Sequence, residues 1–195
     1  MNYLSHLFFS QRTSLSMAGN LMGDFKRGRD VQQALPAEIL LGIQNHKLVD
    51  SKTDSFAGVK QLRTVFSNDR RRFAGVITDI TFDYFLIKHW QHFAVAEYHP
   101  FVQSCYHGLA QSQQWMPERM QFVVSKMQEH DWLNVYATLD GIDLTINQVS
   151  KRIRFENKMA GAIEEVEANY AQIEDVFMDL FAHLKEEVER AAIEG

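Results

Sequence analysis

Val76-Ile77-Thr78-Asp79-Ile80-Thr81-Phe82-Asp83-Tyr84-Phe85-Leu86-Ile87-Lys88-His89-Trp90 decides the reading of this chain. Wound at 3.6 residues per turn, the stretch is apolar on almost every face. It therefore reads as the central, most buried helix of an all-helical core. Two carboxylates interrupt it. Asp79 and Asp83 are four residues apart and share one helix face. A like-charged pair at that spacing is unfavourable even on an exposed helix, and an unpaired charge in apolar surroundings costs far more. A positive group is expected to meet them, either an Arg or Lys from a neighbouring element or a divalent cation.

The helical period continues outward in both directions. Leu4, Leu7 and Phe8 form one stripe, and Leu15, Ala18, Leu21, Met22 and Phe25 another. Pro36 suits the first turn of a helix running through Ile39, Leu40 and Ile43 to Val49. Val59, Leu62 and Phe66 keep the spacing. Pro100 and Pro117 mark further starts, the second leading a segment through Phe122, Val123, Met127 and Trp132. Ile142, Ile146, Val149 and Ile153 follow. After Gly161 comes a last amphipathic helix from Ile163 to Val188. No alternating β-branched run and no Asn-Gly or Asp-Gly hairpin occurs. The expected fold is all-α, a single domain over residues 1–195 with about eight helices.

The 195 residues are 46% hydrophobic and 23% charged with only 10 Gly and 3 Pro, which excludes collagen-like and low-complexity chains. A lone cysteine, Cys105, excludes an intramolecular disulfide and a Cys-based zinc cluster. The longest aliphatic run, Ile39 to Ile43, is far short of the ~20 residues a membrane span requires. The first nine residues hold no Lys or Arg and are interrupted by His6, a poor signal peptide, so cytoplasm is the expected compartment. Glu164 to the end holds ten acids against Lys185 and Arg190, a net −8 that leaves the rest of this −5 chain at +3. Basic clusters at Lys26-Arg27-Gly28-Arg29 and Arg70-Arg71-Arg72 read either as solvated helix ends or as a landing place for an anionic partner. Nucleic acid is not the expected partner, since the chain is acidic overall and carries none of the usual signatures.

The chemistry concentrates in the first half. His46 and Asp50 stand four apart on a predicted helix, as a hydrogen-bonded pair or as a ligand and the carboxylate that orients it. Asp24 lies in an apolar stretch beside Gly19 and Gly23, small residues that let another backbone come close. His6 interrupts the first apolar stripe, and Asn20 reads as a plain helix residue or a polar contact in a pocket. There is no Gly-x-Ser-x-Gly elbow, no Gly-x-Gly-x-x-Gly and no phosphate-binding P-loop. Imidazole and carboxylate donors without thiolates suit Mn²⁺, Mg²⁺, Fe²⁺ or Zn²⁺, with several carboxylates favouring Mn²⁺ or Mg²⁺. Such a site is suited to phosphoester hydrolysis.

Met1-Asn2-Tyr3-Leu4-Ser5-His6-Leu7, Gly19-Asn20-Leu21-Met22-Gly23-Asp24-Phe25-Lys26-Arg27-Gly28, Gly42-Ile43 with His46 and Asp50, and Asp79-Ile80-Thr81-Phe82-Asp83-Tyr84-Phe85-Leu86 with His89-Trp90 together resemble the acyl carrier protein phosphodiesterase family. Asp131-Trp132-Leu133 with Tyr136, and Gly141-Ile142 followed by Arg152, extend the resemblance to about residue 155. It implies hydrolysis of holo-acyl carrier protein to the apo form and free phosphopantetheine, at the phosphodiester to the carrier's serine. It also implies a helical fold distantly like HD-type metal phosphohydrolases, with dependence on Mn²⁺ or Mg²⁺. On this reading His6, Asp24, His46, Asp79 and Asp83 are metal ligands. Asp50 and Asp83 are catalytic, Asp50 as orienting carboxylate or general base. Asn20, Arg27 and Lys47 contact substrate, and Lys26, Arg29, Arg70 and Arg71 dock the acidic carrier. Where the family usually has Asp-His, this chain has Asp83-Tyr84. Two other readings remain open: a phosphohydrolase of nucleotides or small phosphoesters, and a non-catalytic helical module whose polar residues form an ion-pair network.

Overall fold

A computed structural model describes residues 1–25 and 34–195 of the chain. Twelve α-helices and two short 3-10 segments are present among them, and no strand. The first half contains α1 (Tyr3–Phe8), α2 (Ser14–Met22), α3 (Ala37–Ser55), α4 (Ala57–Leu62), α5 (Ala74–Lys88) and α6 (Trp90–Phe93). The second contains α7 (Tyr98–Gln111), α8 (Glu118–Glu129), α9 (Trp132–Val135), α10 (Leu139–Arg152), α11 (Ile163–Ala168) and α12 (Tyr170–Ala191). The number exceeds eight because apolar spacing runs straight through breaks made by single residues. Asp131 adopts φ 48 and divides α8 from α9. Asn169 caps α12 and ends α11, splitting the last expected helix in two.

Most of the apolar stretch from Val76 to Trp90 forms α5, and Ile77, Phe82, Phe85 and Leu86 on it are fully buried. Against it lies α12, whose Phe177 sits 5.8 Å from the Phe85 ring and 5.7 Å from Phe82. Burying each such side chain contributes about 1.5–3 kcal/mol. Thr78 and Thr81 enter this core because their hydroxyls donate to carbonyls one turn back, each at 2.8 Å. The buried apolar residues form one cluster that runs from Met1 to Leu184.

α2 and α3 cross at backbone contact. A Cβ on Gly19 would stand 2.5 Å from the Ile39 carbonyl oxygen, and one on Gly42 would stand 2.9 Å from that of Ser16. Only glycines permit that approach, which brings α2 alongside the part of α3 carrying His46 and Asp50.

The acidic tail is partly neutralised by the rest of the chain. Glu165 pairs with Arg70 at 2.8 Å, Glu174 with Lys88 at 2.6 Å, and Glu187 with Lys52 at 2.6 Å. No helix among the described residues is long and apolar enough to cross a membrane.

Candidate metal centre

Helical geometry alone puts His46 and Asp50 on one face of α3. Packing then brings α1 against that face, so that His6 and His46 stack with ring centroids 3.8 Å apart. Asp50 meets the Nε2 atom of both rings. Its Oδ2 is 3.0 Å from His46 Nε2 and its Oδ1 is 3.2 Å from His6 Nε2. One donor atom from each of these three residues lies within 4.8 Å of the others, a group that could hold a metal ion.

The orientation of His46 is fixed from behind. Its Nδ1 donates to the carbonyl oxygen of Asn20 at 2.7 Å, which leaves Nε2 aimed at Asp50. Gly23 makes room for the ring, since a Cβ there would fall 2.1 Å from its Cδ2. His6 is completely buried, and neither of its nitrogens has an aligned hydrogen-bond partner among the described residues. A buried imidazole left unpartnered and facing a carboxylate needs a proton or another cation between them. Burial lowers the His6 pKa to about 4 against the pull of Asp50, so the ring is neutral at pH 7 and its lone pair is free to bind. Burial also works against ionisation of Asp50, but His46 and His6 outweigh it and hold the carboxyl well below its usual range. His46 is raised because Asp50 and Asp24 overcome the cost of its burial. Two imidazoles and a carboxylate are a donor set that fits a divalent transition ion, which on binding would displace the Nε2 proton that Asp50 favours on His46.

Around this trio stand two further carboxylates. Asp24 Oδ1 is 3.6 Å from His46 Nε2, with nearly half of its side chain exposed. Asp79 Oδ1 is 3.2 Å from the buried α-ammonium of Met1, which is also 3.3 Å from Asp50 Oδ1. The positive group that meets Asp79 is thus the amino terminus, neither an Arg nor a Lys. Hydropathic spacing carries no signal for a backbone amine.

Other residues expected at the site are engaged as follows among the described residues. Asp83, read as ligand and catalyst, is fully buried and held by the start of α1. Its Oδ2 accepts from Leu4 N at 2.9 Å, and its Oδ1 accepts from Ser5 N at 3.0 Å and Ser5 Oγ at 2.6 Å. It satisfies helix donors that have no partner within α1. Asp50, read as an orienting carboxylate, is itself the oxygen member of the trio. Asn20 is fully buried and is spent on scaffolding, donating to the Ser16 carbonyl and to Glu194 and accepting from Asn45. Arg70, read as a docking residue, bonds inward to Glu165, the Lys158 carbonyl and the Ala160 carbonyl. Arg71 and Lys47 are exposed. Lys26, Arg27 and Arg29 lie outside the described residues. Tyr84 belongs to a separate cluster, with its hydroxyl 3.0 Å from that of Tyr170, which also accepts from Lys88 Nζ. The departure from Asp-His therefore removes no member of the trio.

A groove of about 610 Å³ is bounded by α5, α8, α9 and α10 and by Asn2 and Tyr3 at the start of α1.

Helices that converge two buried histidines and a carboxylate define the class: an all-helical protein with a group of side chains that could hold a metal ion. The chain belongs to the acyl carrier protein phosphodiesterase family, whose profile matches residues 1–184. It is 32% identical over 189 residues to the acyl carrier protein phosphodiesterase of Serratia proteamaculans, covering 96% of this chain and 97% of that one. It is 31% identical over 194 residues to the protein of that name from Yersinia pestis, covering 99% and 100%. A relative of the same name from Escherichia coli is 27% identical over 200 residues. No solved structure matches the chain.

Proposed function

We propose that this chain hydrolyses the phosphodiester of holo-acyl carrier protein, releasing phosphopantetheine and leaving the carrier's serine free. The convergence of His6, His46 and Asp50, in a chain of this family, is the observation that carries the reading. Those three residues would hold the metal, with Mn²⁺ the better fit and Mg²⁺ the poorer, because two of the three donors are imidazoles. A bound ion supplies Lewis acidity toward the phosphate oxygens.

The chain's own residues do the rest. Asn20 and Gly23 keep the His46 ring in one orientation, so a donor is in place before substrate arrives. The half-exposed Asp24 and the partly exposed Asp79 are the carboxylates available to accept a proton from an attacking water. The Met1 α-ammonium adds positive charge where a phosphate diester would lie. Overall, water adds across one P–O bond, its hydroxyl joins phosphorus, and its proton goes to the departing serine oxygen. The carrier's acidic surface would meet Arg71, with Lys26, Arg27 and Arg29 as further contacts.

The test is mass measurement of holo-acyl carrier protein after incubation with the protein and Mn²⁺. Loss of the prosthetic group is expected. A carrier of unchanged mass, alongside hydrolysis of nucleotides or small phosphoesters, would transfer the reading to those substrates.

A further inference from the structure

The groove at the start of α1 is lined by none of His6, His46 and Asp50. Its floor begins at Asn2, Tyr3 and Ile80. Asn2 follows Met1 and Ile80 follows Asp79. The Met1 ammonium and Asp79 touch at 3.2 Å, and the same ammonium reaches Asp50. The groove's lining thus includes the chain neighbours of two groups at the centre.

We infer that this groove takes the non-protein arm of the phosphodiester, a flexible chain of methylenes and two amides ending in a thiol, while the folded carrier stays outside. The inference rests on the activity proposed above and names which of the two ester substituents enters.

Size makes the first selection. About 610 Å³ is the volume of a small-molecule site and far too little for a folded domain. Lining makes the second. Phe122 and Leu144 are 65% and 53% exposed, two of the six large hydrophobic side chains that the described residues leave in water, and both line this groove. Apolar side chains left exposed along one groove mark a binding surface. Beside them on α10 stands Gln148, exposed and able both to donate to and to accept from an amide. Trp132 supplies a flat face, stacked near Tyr3 with centroids 6.5 Å apart. Lys126 and Arg152 also line the groove, but Lys126 is paired with Glu129 and the Arg152 guanidinium lies 5.7 Å over the Trp132 ring, so the exposed apolar side chains and the Gln148 amide are what suit an uncharged linear arm.

The probe is pantetheine, which has the arm without the phosphate. Titration into the ¹⁵N-labelled protein is expected to move the Trp132 indole resonance, assigned by its loss in Trp132→Phe. In the Phe122→Ser/Leu144→Ser double variant, pantetheine affinity is expected to fall about tenfold or more, with a matching rise in KM for holo-acyl carrier protein and little change in kcat. Both side chains are exposed, so an unchanged melting temperature checks the fold. Val149→Trp, which fills the groove from α10, is the second variant and should act in the same direction. Cleavage of the carrier with an unmoved Trp132 resonance and unchanged KM in both variants overturns the inference while the activity stands. Movement of Trp132 without carrier cleavage keeps the groove as an arm-binding site and removes the activity.

Discussion

Asp79 and Asp83 stand one turn apart on α5, and the two turns do opposite work. The turn at Asp83 is sealed: both carboxylate oxygens are held by donors of α1, and nothing of the side chain reaches water. The turn at Asp79 is open, with a third of the side chain exposed, and it faces the Met1 ammonium and, through it, Asp50. Identical residue type and identical spacing yield a fastener in one place and a member of a site in the other. The difference lies in what α1 presents. Its first backbone amides meet Asp83, and the buried ring of His6 meets Asp50.

The sharpest way to break this comparison is at the open end. His46→Ala or Asp50→Ala is expected to lower turnover of holo-acyl carrier protein by about 10³-fold, equivalent to several kcal/mol of lost charge stabilisation. Mass spectrometry of the carrier measures it, and near-normal turnover in either variant would separate the trio from the chemistry. Gly23→Ala comes next. Its new methyl group would occupy the place of the His46 ring, and a displacement of about 1 Å corresponds to about a 10²-fold loss in rate.

The sealed end is expected to give a change in stability. Asp83→Asn puts an amide where three donors need an acceptor, at a cost of about 2–3 kcal/mol in a urea melt. Asp79→Asn removes a carboxylate whose pKa is raised by burial against the pull of the amino terminus, so its stability should be held or improved while turnover falls. If Asp79→Asn unfolds the protein and Asp83→Asn spares it, the contrast drawn here is inverted. Burial lifts the Asp83 pKa to about 6, above its ordinary 3.8, despite the donors from Ser5 and Leu4. The folded state therefore keeps a proton that the unfolded chain has released. Stability should fall as pH rises through the window from about 4 to 6, and Asp83→Asn should flatten that slope.

Added Mn²⁺ at about 100 times its Kd should stabilise the folded state by about 2.7 kcal/mol, a rise in Tm of about 5–10 °C for a chain of this size. The shift should persist in Asp83→Asn and vanish in His46→Ala. A smaller effect is expected at the docking surface. Arg71→Glu should reduce kcat/KM for the carrier a few-fold and weaken its dependence on salt, whereas Arg70→Ala should act on stability, through the bonds to Glu165, Lys158 and Ala160.

Much of the candidate site is legible in the sequence because its most local part obeys helix geometry. His46 and Asp50 are four apart, and any α-helix through them puts both on one face. His6 was legible as a polar break in an apolar stripe, and Gly19 as a place of close approach. Asn20 was noticed for its side chain, but its contribution to the centre is a backbone carbonyl, a group that every residue type has. Arg70 was read as free charge because the loop that satisfies it lies some ninety residues later in the chain.

What the sequence determined by itself is the all-helical architecture, the burial of α5 and the pairing of His46 with Asp50, since each follows from a period of 3.6 residues. Only the tertiary structure decided that His6 joins them, that Asp83 fastens α1, and that α5, α8, α9 and α10 enclose a groove at the start of α1. Those facts depend on where α1, α8 and α10 come to rest against α3 and α5. That placement is set by the packing of the whole core and by the backbone contact between Gly19 and Gly42, and no local repeat encodes it.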